Sequence, residues 1–429
     1  MIKLLAAFLV ITTLMTYISY RFIRLPPTIG VMVTGLLFSL GVQGLSLAGY
    51  PVAQKHTLDF LSQIDFESVV MEALLPFLLF AGALHVKIGD LKAYRWPVGA
   101  LATGGVVGST FAIGTCTYLI LPLFDWHVSY LYCLLFAAAC ASTDPIACGA
   151  ALKTAGAPVG VRNILIFESL ANDGTSIVVF TCLAAVISLG TVPSFSDVWL
   201  LFLQEAGGGV VLGLILGYAV VGMMKSIDQF HIDVMLSLSL VVGGAVLASL
   251  LHASAPMAMV VAGLIVGNLG VNEGMSKSTR DAFVQLWEVI DEVGVCVLFC
   301  LIGIELLLLP FSALHIVAGV ALSLVVIAAR FMTVAPVAFF KRMSGRRTVP
   351  KGTVRVLTWG GLRGGVSVAL ALTIPAGWER DLLLSLTYTI VVISILCQGL
   401  TIGPLVSKIY GSKPEPQELD PHGPVITSH

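Results

Sequence analysis

Apolar residues run through this chain in long stretches, set apart by short clusters of Gly, Pro and charged residues. The stretches fall at about 2–20, 27–46, 66–85, 97–122, 128–152, 161–189, 198–224, 231–252, 256–271, 282–308, 312–340, 352–375 and 382–409. A helix that crosses a bilayer needs roughly 20 predominantly apolar residues, and most of these runs supply them. The pattern predicts an all-α polytopic membrane protein with about 13 transmembrane helices. Its narrowest boundary, between the eighth and ninth runs, lies around His252 to Pro256. The first run, Met1 to Tyr20, is too long for the apolar part of a secretory signal. It is followed by Arg21 and Arg24, so it reads as the first span.

Composition agrees. The 429 residues are 57% hydrophobic and 11% charged, against about 25% charged in soluble proteins. No soluble domain fits between the runs, because the longest internal loops are of the size of 47–65. A net charge of −1 gives no footprint for a nucleic-acid partner. The eight cysteines all lie within apolar runs and form no CxxC, which predicts small buried hydrophobes rather than disulfides or a metal site. Residues 411–429, rich in Pro, Gly and charge, predict a short disordered tail.

Basic residues choose the orientation. With the N-terminus outside, 17 Lys and Arg fall in inner loops and the tail and 3 in outer loops. The positive-inside rule therefore predicts a multi-pass protein of the plasma (inner) membrane with its C-terminus cytoplasmic.

Charges inside the runs then narrow the chemistry. Glu168, Ser169, Asn172 and Asp173 lie in the sixth run, on adjoining faces of one helix. At 1.5 Å per residue, Asp173 is about 18 Å from Val161, Asp144 about 12 Å from the inner end of its run, and Arg363 about 17 Å beyond Gly352. All three share the middle layer of a hydrocarbon core about 30 Å thick. Intramembrane acids are costly and are functional by default. A buried acid and base that neutralise each other are more often structural, which predicts a Glu168–Arg363 ion pair. Glu288, Asp291, Glu292, Arg330 and Arg355 predict a salt-bridged cytoplasmic vestibule. His85 and His315 lie near run ends, which disfavours a histidine proton relay.

Two runs carry helix breakers. Pro145 interrupts the fifth, and Gly360, Gly361, Gly364 and Gly365 interrupt the twelfth. They stand seven positions apart in run order, as two inverted six-helix repeats around a linker helix at 198–224 would place them. Paired broken helices point to a transporter site. The linker's Gly209, Gly213 and Gly217 form a small-residue stripe for close packing.

Four stretches in order carry a resemblance: Leu75 to Leu84, Ser142-Thr143-Asp144-Pro145, Phe167 to Gly174, and Gly360 to Gly365. Together they resemble the NhaP-type branch of the cation/proton antiporters, relatives of the animal Na⁺/H⁺ exchangers. The resemblance covers nearly the whole chain and implies an NhaA-like antiporter fold with crossed, broken helices. It implies a homodimer with a dimerisation bundle at about 1–85 and 231–308 and a transport core at about 97–189 and 312–409, all within one domain, 1–410. It makes Asp173 the carboxylate shared by Na⁺ and proton, with Asp144 and Thr143 at the crossing and Ser169 and Asn172 as oxygen ligands or their supports. The Asn-Asp pair implies electroneutral exchange of Na⁺ or Li⁺ for H⁺, with no cofactor beyond the transported ions. One departure is Ala81, where many relatives carry a Glu that reaches the ion through water.

The residues support the same mechanism independently. Burial disfavours a bare carboxylate, so either a proton or a hard cation must meet it. Asn172 can hydrogen-bond Asp173 but cannot neutralise it. Rival readings are exchange of K⁺ or of cations without discrimination, a channel, and an intramembrane aspartyl protease using Asp144 and Asp173. The protease reading is disfavoured because Leu-Ala-Asn, not Gly-x-Gly, precedes Asp173.

Overall fold

The computed structural model describes residues 2–23, 25–48, 66–144, 152, 155–189, 195–305, 312–343 and 350–411. Among these the regular elements are all helical. In chain order the main helices are α1 (Ile2–Ile18), α2 (Pro27–Leu47), α3 (Leu75–Leu84), α4 (Ile88–Ala100), α5 (Val106–Ile120), α6 (Tyr130–Ala141), α7 (Val159–Leu189), α8 (Phe195–Phe202), α9 (Gly208–Ile227), α10 (Phe230–Leu250), α11 (Ala255–Ile265), α12 (Lys277–Glu305), α13 (Ala313–Met343), α14 (Thr353–Trp359), α15 (Gly365–Leu372), α16 (Trp378–Ile393) and α17 (Leu400–Tyr410). Wider π-helical turns carry the chain without interruption from α4 into α5, α8 into α9, and α16 into α17.

Among the described residues each predicted apolar run contains helix. Eight helical segments among the described residues are long and apolar enough to cross a membrane, including Val159–Ser188 and Trp378–Tyr410. The narrow boundary lies where expected. His252 turns the chain at φ 51°, and the Ser254 hydroxyl accepts the Met257 N–H (3.3 Å) to cap α11. The fourth run differs at its start. Its helix begins at Ile88, because the charged residues that lower the hydropathy of 88–96 do not break a helix, and Pro97 is accommodated inside α4.

Both predicted interruptions are present. α6 stops at Ala141, and Ser142 leaves it in an extended conformation (φ −59°, ψ 140°). α14 stops at Trp359 and the chain re-enters helix only at Gly365, so Gly360, Gly361 and Gly364 lie in the unwound stretch. Pro145 lies outside the described residues, as do the loop segments 49–65 and 344–349 and the tail from 412.

Packing follows the small residues. A Cβ on Gly209 would lie 2.7 Å from Ser254 O and one on Gly217 3.1 Å from Ile265, so the stripe lets α9 press its backbone onto α11. The opposite face of α9 leaves Val211, Ile215 and Tyr218 exposed, as a lipid-facing surface would. One apolar cluster joins α3 to α9–α12 around Phe80, Met259 and Trp287. Another, with Leu165, Val356, Leu362 and Ile402, closes round the unwound stretch of the fourteenth and fifteenth helices. α7 contributes Val161, Ile164 and Leu165 to the second.

Candidate functional site

The two unwound stretches meet. The Asp144 N–H donates to Leu362 O (2.8 Å), a backbone bond across the crossing. The approach is close enough that a methyl on Gly364 would lie 2.6 Å from Asp144 Cβ. A helix that ends inside a membrane leaves carbonyls without partners, and each costs several kcal/mol unless satisfied. Arg363 supplies the donors. Its guanidinium Nη1 gives hydrogen bonds to Ala141 O (2.6 Å) and Ser142 O (2.8 Å), the last carbonyls of α6. Its own backbone N–H donates to Ser394 Oγ (2.9 Å), and the Ser394 hydroxyl donates to Gln398 Oε1 (2.6 Å) within the π-helical turn before α17.

Arg363 therefore does not pair with Glu168, contrary to the sequence expectation. Glu168, fully buried on α7, is held by Arg330 of α13 through two parallel bonds, Nη1 to Oε1 (2.7 Å) and Nη2 to Oε2 (2.6 Å). Arg330 is 5% exposed and also donates through Nε to Leu357 O (3.3 Å), so it is not a vestibule residue. A methyl on Gly361 would lie 2.7 Å from that Nε, which explains a glycine where the guanidinium passes. Depth along a helix places Arg330 and Arg363 in the same layer; it carries no information on azimuth. The side each arginine faces decided the pairing.

The polar face of α7 is then laid against residues 142–144. Asn172 Nδ2 donates to Thr143 Oγ1 (2.6 Å) and Glu168 Oε1 (2.7 Å), and its Oδ1 accepts the Thr143 N–H (3.1 Å). The Thr143 and Ser169 hydroxyls share a bond of 2.9 Å. The amide of Asn172 is thereby committed to Thr143 and Glu168, not to Asp173 as expected. Asp173 is met instead by Ser142, whose hydroxyl donates to Oδ1. Asp173 is 5% exposed, makes no ion pair among the described residues, and feels the like charges of Asp144 and Glu168 against the more distant positive charge of Arg363. Asp144 itself is half-buried at the crossing.

The remaining predicted residues spread out. Glu288 and Glu292 are exposed on α12, Asp291 is half-buried one turn along it, and Arg355 is exposed on α14. Asp291 and Glu292 have no ion-pair partner among the described residues, so the expected salt-bridged vestibule is acidic on this side. Ala81 is fully buried with Phe80 and Leu84 in the α3–α12 apolar cluster.

Sequence reasoning passed over Ser142 and placed Arg330 wrongly. Both carried a signal. Ser142 directly precedes Thr143 at the break. Arg330 lies eleven residues before Lys341, about 16 Å into its helix, the same depth that singled out Arg363.

This architecture is shared. The sodium proton antiporter MjNhaP1 from Methanocaldococcus jannaschii superposes with a TM-score of 0.72 over 95% of this chain and 98% of its own, at 19% identity. In sequence the chain is 56% identical over 416 residues to a Na⁺/H⁺ antiporter, NhaP, of Pseudomonas aeruginosa, covering 96% of this chain and 98% of that one. It is 28% identical over 394 residues to the Na⁺/H⁺ antiporter NhaH of Halobacillus dabanensis, covering 91% and 93%. The model of the transmembrane sodium/hydrogen exchangers matches residues 9–408. The chain belongs to the sodium/hydrogen exchanger family.

Proposed function

We propose that this protein is a secondary active antiporter that exchanges Na⁺, and Li⁺, for H⁺ across the plasma membrane without net charge transfer. One observation carries the reading: Asp173 is a deeply buried carboxylate at a helix crossing, bonded by a hydroxyl and, among the described residues, in no ion pair. Its charge can be met only by a mobile cation or a proton, and not by both together. The hydroxyls of Ser142, Thr143 and Ser169, the Asp144 carboxylate and the unwound backbone form an oxygen-rich surround suited to a hard cation. A loaded or protonated site is electrically muted and can cross between the two sides; a bare anion cannot.

The architecture behind this reading has thirteen spans in two inverted six-helix repeats, with 198–224 linking them. Residues 1–85 and 231–308 form the dimerisation bundle of a homodimer. Residues 97–189 and 312–409 form the core that moves against it in alternating access, with the N-terminus outside and the C-terminus in the cytoplasm. Glu168 and Arg330 brace the core, and Arg363 holds its crossing.

The test is exchange by the purified protein in proteoliposomes with Na⁺, Li⁺ and K⁺ across a pH series. Na⁺- and Li⁺-driven proton movement is expected, with apparent cation affinity weakening as pH falls because proton and cation compete. An affinity independent of pH would overturn the competition, and response to K⁺ alone would overturn the ion assignment.

A further inference from the structure

In an α-helix each N–H donates to the carbonyl four residues back. A helix running unbroken from α14 into α15 would therefore join the Arg363 N–H to Trp359 O. The chain is unwound between them, and a relay of side chains stands in for that bond. The Arg363 N–H donates to Ser394 Oγ (2.9 Å), the Ser394 hydroxyl donates to Gln398 Oε1 (2.6 Å), and Gln398 Nε2 donates to Trp359 O (3.3 Å). The sense of the relay is fixed by its ends. Trp359 O can only accept, so the Gln398 amide nitrogen faces it, and the amide oxygen is left to take the serine proton.

Ser394 and Gln398 are both buried and lie in the π-helical turn Ser394–Gly399, an irregularity often found at functional sites. The start of α17 holds Trp359 a second time, since its indole Nε1 donates to Thr401 Oγ1 (2.8 Å). One short piece of chain thus grips both ends of the unwound stretch. Between those ends Gly360 and Gly361 have no side chains to fix their course, and glycine backbone is the most permissive. The path is therefore set from its ends. It is this path that presents Leu362 O to the Asp144 N–H (2.8 Å) at the crossing.

We propose that Ser394 and Gln398 are positioning residues for cation binding, which hold the helix break open by replacing the one backbone bond that would close it. The competing arrangement is a rewound turn, in which the Arg363 N–H returns to Trp359 O and Leu362 O is drawn away from Asp144. Both residues act through the unwound stretch rather than on the ion. The proposal rests on the exchange function above and adds to it a pair of residues outside the crossing.

The experiment is Na⁺-driven exchange in proteoliposomes by Ser394→Ala, Gln398→Met, the double variant and Ser394→Thr, beside Asp173→Asn. Each of the first two is expected to raise the apparent KM for Na⁺ by about five-fold, the effect of one buried hydrogen bond, with kcat retained. The double variant is expected to match the worse single, because both residues serve one relay. Ser394→Thr keeps the hydroxyl and is expected to keep the parental KM. A parental KM in Ser394→Ala or in Gln398→Met would overturn the proposal, even with a lower unfolding temperature, since that is the mark of a purely structural bond. Additive effects in the double variant, or a KM in Ser394→Thr as high as in Ser394→Ala, would overturn it too. If Ser394→Ala does not fold, Gln398→Met decides alone, and failure of both to fold would make the relay structural. Exchange by Asp173→Asn at the parental rate would instead overturn the function on which the proposal rests.

Discussion

Glu168 and Asp173 stand on the same helix, five residues apart, and both are almost wholly withdrawn from solvent. Around Glu168 every acceptor is filled: a guanidinium grips both oxygens and the Asn172 amide adds a third bond. Around Asp173 there is the Ser142 hydroxyl and, among the described residues, no ion-pairing base; the Arg363 guanidinium acts on it only from a distance while it is spent on the carbonyls of Ala141 and Ser142. Burial alone does not make a carboxylate a transport group. Of two acids in the same low dielectric, the one with a fixed counter-charge holds helices together, and the one without must borrow its counter-charge from solution.

The sharpest way to break the contrast is to remove the borrowed charge. Asp173→Asn keeps the shape and abolishes exchange, while the protein still purifies as the parental oligomer; cation-driven exchange in liposomes at the parental rate would erase the distinction. Next in size is the fixed pair. Glu168→Gln or Arg330→Gln alone leaves a buried charge without its partner and is expected to cost about 3–5 kcal/mol, read as a lower unfolding temperature in detergent. The double variant Glu168→Gln with Arg330→Gln is expected to unfold nearer the parent than either single. If both singles unfold like the parent and lose only transport, Glu168 belongs with Asp173. The smallest effect is at Ser142. Ser142→Ala removes one oxygen and one hydrogen bond from Asp173, and about a three- to ten-fold weaker apparent Na⁺ affinity follows from a charged hydrogen bond. An unchanged affinity would show that the hydroxyl does not serve the ion.

How much of this was legible beforehand depended on what kind of information each feature needs. Helices, their ends and both interruptions follow from runs of apolar residues and from glycines, which are local properties. That is why the run 352–375 divides between Trp359 and Gly365 as its glycines imply. The depth of Asp173 and Arg363 is also local, being a count along one helix. Partner choice is not. Whether Glu168 meets Arg330 or Arg363, and whether Asn172 turns to Asp173 or to Thr143, depends on how three helices and two unwound stretches are rotated about one another. Arg330 at the same depth as Arg363 was a warning that two solutions existed. The unpaired acids on α12 were similarly out of reach, since a shared depth does not tell whether Arg330 and Arg355 come near Asp291 and Glu292 in space.

The clasp of Arg363 on the end of α6 has a consequence for how the molecule is made. Donor and acceptors are 222 and 221 residues apart in the chain. At about 5–20 residues per second, the carbonyls of Ala141 and Ser142 leave the ribosome about 11–44 s before their guanidinium does. Through that interval the broken end of α6 has no internal partner and cannot rest against lipid tails. The segment that carries α6 must therefore be held beside water or beside the insertion machinery until Arg363 arrives, so that the crossing is closed by a residue made 221 residues after Ser142.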